Sequence, residues 1–290
     1  MGSTTEKSRG RPDSNSGVRA GWRRGLRSAL WVRLFVVLSV LAYGTSGGVA
    51  RGEVDPEPDP VPEEASLSPA EILYQAAVES GNRRDFPKAR AQLEETLRLQ
   101  PDHLQADLAL GVVLMVLGEQ EEGRASLERI GTLTGPMATQ AHSLLANQAS
   151  LEGRHEDVVK HYLQGIEQSP DEVAMRVNLG RSLFSQGRFE EAIPVFEAAL
   201  ILKPDAKAAW VDLGRSFVRL GRTADGEVCF RNAIELEKGN ISANWYLARI
   251  EADRGEKEKA NALYDVAARS AKRLRKKDML LRILMEQNSL

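Results

Sequence analysis

Between positions 70 and 272 apolar residues return at intervals of three and four, in short runs punctuated by glycine and proline. In residues 173–204 one run carries Leu179-Gly180 and Leu183, Gly187 breaks it, and a second run carries Ala192, Phe196 and Ala199 before Pro204 closes it. This spacing places one apolar stripe on each of two short helices. Thirty-four residues on, the same positions read Leu213-Gly214, Gly221, Gly226, Phe230 and Ala233. Six such units start near Ala70, Leu104, Thr139, Val173, Lys207 and Ile241, and they cover roughly 70% of the chain.

Two helices of this size cannot hide their stripes alone. Each buried Leu or Phe contributes roughly 1.5–3 kcal/mol, whereas ordering the backbone costs roughly 1–2 kcal/mol per residue. Stability must therefore come from stacked neighbours. Small residues such as Gly180 and Ala192 let paired backbones approach, Phe196 fills the gap between units, and Gly187 or Gly221 supplies a permissive turn. The aromatic-type site reads Leu93, Leu127, Tyr162, Phe196, Phe230 and Tyr264. Closing prolines stand at Pro101, Pro136, Pro170 and Pro204, but Lys238-Gly239 and Lys272 replace them in the last two units, which weakens those two boundaries.

With its Leu-Gly pair, alternating Ala and aromatic positions and final Pro, the period resembles that of the tetratricopeptide repeat (TPR) family. The resemblance implies an all-α solenoid of about six helical hairpins, with units near 70–103, 104–138, 139–172, 173–206, 207–240 and 241–272 and a C-terminal capping helix over 273–290. It also implies that the first helices line a concave face through the second, fifth, sixth, ninth, twelfth and thirteenth positions of each unit. The ninth positions of the last three units are Arg181, Arg215 and Arg249. Arg219 adds a thirteenth-position charge, Asn178 and Asp212 occupy the sixth, and Trp245 and Tyr246 the fifth and sixth of the last unit. The expectation is an arginine row facing a groove, where guanidinium forks grip the carboxylates of an acidic or C-terminal peptide and aromatic side chains anchor it. The two-carboxylate clamp of chaperone-binding TPR proteins is matched at Asn147 and Asn178, but Ser143, Ala208 and Asp212 stand where it needs basic residues.

The 290-residue chain carries a net charge of −2, so no global field points to nucleic acid. Its one cysteine, Cys229, beside Phe230, reads as a small buried hydrophobe and excludes an intrachain disulfide framework. Residues 1–50 run from an Arg-rich, acid-poor stretch through the apolar segment 34–43 to small residues ending at Ala50, the order of a cleaved secretory signal peptide. An uncleaved signal anchor, placing residues 29–43 at a membrane, and an organelle transit peptide are the alternatives. Residues 51–68 alternate Pro56, Pro58, Pro60 and Pro62 with acids, a solvated spacer ahead of an array over 69–272.

No phosphate loop, Cys-x-x-Cys pair or nucleophile elbow is present, so no cofactor and no enzymatic activity are expected. The four histidines read as surface residues; His155 and His161 are six apart, which turns them to different faces and does not match a zinc helix. Pairs such as Glu94-Glu95 and Glu190-Glu191 read as solvating charges. Asn240-Ile241-Ser242 matches the glycosylation triplet. Residues 268–284 read as one basic helix with an apolar stripe of Met279, Leu280, Ile283 and Leu284, either a solvating end cap or a contact for membrane phospholipid or polyanion. The combined expectation is an exported, non-catalytic scaffold, periplasmic or in the cell envelope, that binds a protein or peptide partner. An accessory or regulatory subunit of an envelope enzyme, or a membrane or polyanion binder, is the competing class.

Overall fold

A computed structural model describes residues 67–290; the expected signal segment and most of the Pro-rich spacer lie outside the described residues. The fold is all-α, with thirteen helices and no strand among the described residues. Two compact units divide the chain, one ending at Gly123 and one spanning Arg124–Leu290. The first holds α1 (Pro69–Asn82), α2 (Phe86–Leu99) and α3 (Leu104–Leu117); α4 spans Gln120–Gly131. The second continues with α5 (Pro136–Leu151), α6 (His155–Gln168), α7 (Val173–Ser185), α8 (Phe189–Leu202), α9 (Lys207–Arg219), α10 (Thr223–Leu236), α11 (Ile241–Asp253), α12 (Lys257–Arg273) and α13 (Lys277–Gln287). Within it successive helices pair as hairpins that stack on their neighbours, the arrangement of a helical-hairpin solenoid.

Local chemistry explains the turns. Ser68 caps α1 by accepting from the Glu71 N–H at 3.1 Å, and Pro69 follows it where its missing N–H costs nothing. Inside the hairpins Gly118, Gly153, Gly187, Gly221 and Gly255 all take positive φ, between 74° and 98°, a conformation that only glycine enters without strain. The residue after each returns its N–H to the helix just ended, as Arg188 does to the Leu183 carbonyl at 3.0 Å. In the first hairpin the equivalent residue is Arg84, held at φ 63°. Left-handed backbone costs an L-residue about 1–2 kcal/mol, so Arg84→Gly is expected to raise stability by roughly 1 kcal/mol, read as a higher urea midpoint at unchanged slope.

Between hairpins Gln100, Ser169 and Lys203 take extended conformations ahead of a proline, as the proline ring demands. Glu237 does the same without one, so the fifth boundary holds despite the missing proline. The sixth does not. Nothing stops α12 at the usual place, and it runs 17 residues where α10 has 14. The expected single helix over 268–284 is therefore two helices: Arg275 turns left-handed at φ 54°, and the Lys276 N–H bonds the Ala271 carbonyl at 2.9 Å.

The core of the second unit repeats one contact. Gly180 has no side chain because the Phe196 ring lies there, 2.6–2.9 Å from where a Cβ would sit, and Gly214 stands in the same relation to Phe230 at 2.7 Å. Both rings are fully buried. Phe196 thus fills a gap within its own hairpin, and it belongs to a core that also takes in Ala209 and Leu213 of the next. Phe230 does both, stacking on Tyr246 of the next hairpin with centroids 5.1 Å apart and planes 6° from parallel. The expectation that all four histidines are surface residues fails for two. His103 accepts from the Ala106 N–H and packs on Tyr74, and buried His142 bonds the Gly131 carbonyl at 3.1 Å.

Candidate functional site

First helices α7, α9 and α11, with α13, line an open cavity of about 360 Å³, to which α9 gives its second, fifth, sixth and ninth positions, α11 its second, fifth and sixth, and α7 its ninth. Arg181 comes from α7; Ala208, Val211, Asp212 and Arg215 from α9; Ser242, Trp245 and Tyr246 from α11, with Asn240 at its cap. Met279 and Arg282 of α13 close the end. Three guanidinium groups and one carboxylate line this space, so it is net cationic.

Asp212 organises two of the arginines. Buried at the base, its Oδ2 accepts from Arg181 Nε at 2.6 Å and its Oδ1 from Arg215 Nη1 at 2.9 Å. The Arg215 guanidinium lies over the Phe184 ring at 4.4 Å, which fixes its plane, and its buried Nε has no acceptor. Arg181 stays half exposed. Each arginine therefore spends one edge on Asp212 and keeps further N–H groups for a ligand.

A second carboxylate holds α13 in place. Glu286 Oε2 accepts from Trp245 Nε1 at 2.9 Å and from the Tyr264 hydroxyl at 3.4 Å, and it faces Arg249 Nε at 3.7 Å. Burial, with Glu286 beside it, pushes the Tyr264 phenol up to about 12. Arg282 lies over the Trp245 ring at 4.5 Å, and Arg249 over it at 5.1 Å.

The expected residues thus divide. Arg181, Asp212, Arg215 and Tyr246 meet at the cavity. Trp245 contributes an edge to its wall but is only 3% exposed, being covered by α13, so it is a packed support rather than a free anchor. Arg249 is not in the lining; it turns to Glu286 and Trp245. Arg219 stands over the Phe189 ring at 4.5 Å, and Asn178 does not line the cavity. Arg282 and Met279 were not anticipated. The first helices begin at Val173, Lys207 and Ile241, 34 apart, but α13 begins at Lys277, a step of 36. Counted from Lys277, Arg282 is a sixth position, the groove-facing place that Asp212 and Tyr246 hold.

A larger cavity of about 540 Å³ lies between α8, α9 and α10, lined by apolar Leu200, Ile201, Trp210 and Phe217. Its charged rim includes Arg222 and Asp225, which pair with each other at 2.8 Å. Cys229 borders it with its thiol pushed up to about 12 by burial, the state of a structural rather than a nucleophilic cysteine. No set of directed polar groups converges there.

Elsewhere in the second unit His142 and His161 stack at 5.8 Å. Burial, with His142 and Lys160 nearby, lowers His161 to about 4, so both rings are neutral at pH 7. Among the described residues no group of three or more His, Cys, Asp or Glu could hold a metal ion, and no helix is long and apolar enough to cross a membrane.

Similar solved structures include the MamA protein (20% identity, TM-score 0.49, covering 58% of this chain and 92% of that one). Another is YrrB, described as a TPR protein with an unusual peptide-binding site (17% identity, TM-score 0.47, covering 60% and 89%). A search of curated protein sequences found no match. The tetratricopeptide repeat profile matches residues 72–132, 136–208 and 211–273, well over half of the chain. The protein belongs to the tetratricopeptide repeat family, whose fold is a scaffold suited to protein–protein interaction.

Proposed function

We propose that this chain is a non-catalytic scaffold whose α7–α9–α11–α13 groove takes an acidic segment of a partner protein. The carrying observation is the convergence of Arg181, Arg215 and Arg282, with Tyr246 as an aromatic wall, on one cavity whose single lining carboxylate, Asp212, is already engaged. Arginine forks match carboxylates in geometry as well as charge, and the low-dielectric wall of a cleft strengthens the pairing.

Asp212 competes with such a ligand for the same two guanidinium groups. Asp212→Asn should therefore tighten binding of an Asp/Glu-rich peptide by roughly fivefold to tenfold, since a charge pair screened through its partly exposed arginine is worth about 1 kcal/mol. Calorimetry with acidic peptides and their Asn/Gln counterparts is the measurement. Equal affinity for both peptide sets would remove the acidic-ligand reading.

The basic, apolar and small-residue order over residues 1–50 supports export to the cell envelope or secretory compartment. Amino-terminal sequencing of the protein made in its own cell is expected to begin near Arg51, while an intact Met1 in a membrane fraction would indicate the anchored form.

A further inference from the structure

The water-facing side of a solenoid helix is ordinarily polar. On α13 it is not. Leu281, Leu284 and Met285 fall four, seven and eight residues after Lys277 and so share its face, and they are 61%, 40% and 72% exposed. Leu274, in the turn just before, is 53% exposed. In the last turns of α12 and the turn into α13 stand Arg269, Lys272, Arg275, Lys276 and Lys277, all exposed and none with an ion-pair partner among the described residues, and Lys277 shares the face of Leu281. The contrast is sharp, because Arg181, Arg188, Arg215, Arg222, Arg231, Arg249 and Arg254 in the same unit all sit against carboxylates.

We propose that α13 docks on an anionic lipid bilayer, with Leu281, Leu284 and Met285 entering the headgroup boundary and the cations of the α12–α13 turn, Lys277 among them, resting among the phosphates. Leu281 and Met285 neighbour Arg282 on α13, so the surface adjoins the groove's end, but it uses none of the groove's lining cations. Two features must be matched at once. A soluble polyanion satisfies the cations but has no use for exposed Leu281 and Met285. A second copy of the chain could cover the apolar face, yet a two-fold contact would bring like-charged clusters together. An anionic bilayer supplies both an acyl boundary and negative charge.

The test is co-flotation of the full chain with vesicles of phosphatidylglycerol and phosphatidylcholine, against phosphatidylcholine alone. The protein should float with the anionic vesicles and be largely released at high salt. Each cation lost should weaken partition roughly fivefold, so Lys276→Glu with Lys277→Glu should lower it at least about twenty-five-fold. Leu281→Asp with Met285→Asp should lower it comparably. The segment 29–43 is intact in every variant, so the difference between variants isolates α13. Equal flotation of all forms overturns the proposal. So does polyphosphate binding that ignores the Asp pair, or a dimer in sedimentation that the Asp pair dissolves. The lysine pair sits at an exposed turn, where substitution leaves packing alone, and it carries the test should the Asp pair fail to fold.

Discussion

Phe196→Ala is expected to destabilise the protein by about 3–5 kcal/mol, the range for a fully buried aromatic whose site cannot collapse. The ring occupies the space that Gly180 leaves open, and both belong to well-formed helices, α7 and α8, that cannot close on the void without shifting. For an array of this length the melting temperature should fall by roughly 10 °C, with the loss centred on the α7–α8 hairpin and its neighbours because coupling in a solenoid is local. Gly180→Ala probes the same contact from the other side. Its methyl would meet the ring at 2.6–2.9 Å, too close to tolerate, and should cost roughly 1–3 kcal/mol. Combining it with Phe196→Leu should cost less than the sum of the two single changes, since the smaller side chain makes room for the methyl. Thermal melts of the four variants decide the matter, and an unchanged melting temperature for Phe196→Ala would refute the packing described.

Replacing Arg181, Arg215 and Arg282 together by alanine is expected to weaken acidic-peptide binding by roughly tenfold to a hundredfold while leaving helicity intact. Charge-assisted hydrogen bonds are worth about 1.5–3 kcal/mol each when desolvated, but these arginines are partly exposed and two already share Asp212, so the sum must be discounted heavily. Lysine at the three positions should restore only part of the affinity, because a point charge cannot reproduce the fork. Arg249→Ala serves as the internal comparison. Its guanidinium faces Glu286, outside the cavity, and its loss should leave affinity nearly unchanged. If the triple variant binds as the parent does, the groove is not the site.

What could be read in advance follows the range of the physics involved. Apolar spacing and the glycine and proline punctuation act within one hairpin, and first helices begin at Val173, Lys207 and Ile241. Long-range polar pairing left no such trace. Asp212 lies 31 residues from Arg181, and Glu286 lies 41 from Trp245, so nothing local said that the expected arginine row would split between two carboxylates. His142 looked like a surface residue because its acceptor, the Gly131 carbonyl, belongs to a preceding helix. One signal was present and undervalued. Lys272 stands where the first four units have a closing proline; α12 runs past it, as α10 does not run past Lys238, and that overrun sets the position of Arg282.

The overrun of α12 also bears on how this array could grow. A tandem duplication joined at the usual 34-residue interval would extend the solenoid only where each second helix stops on time; after α12 the added unit would arrive two residues out of phase, with its stripe rotated off the core. Lengthening this protein would therefore succeed by inserting hairpins upstream of Ile241, leaving the terminal three helices together as a fixed end piece. Helices α11–α13 behave less like one more copy of a tile than like a piece shaped to its own step of 36 residues.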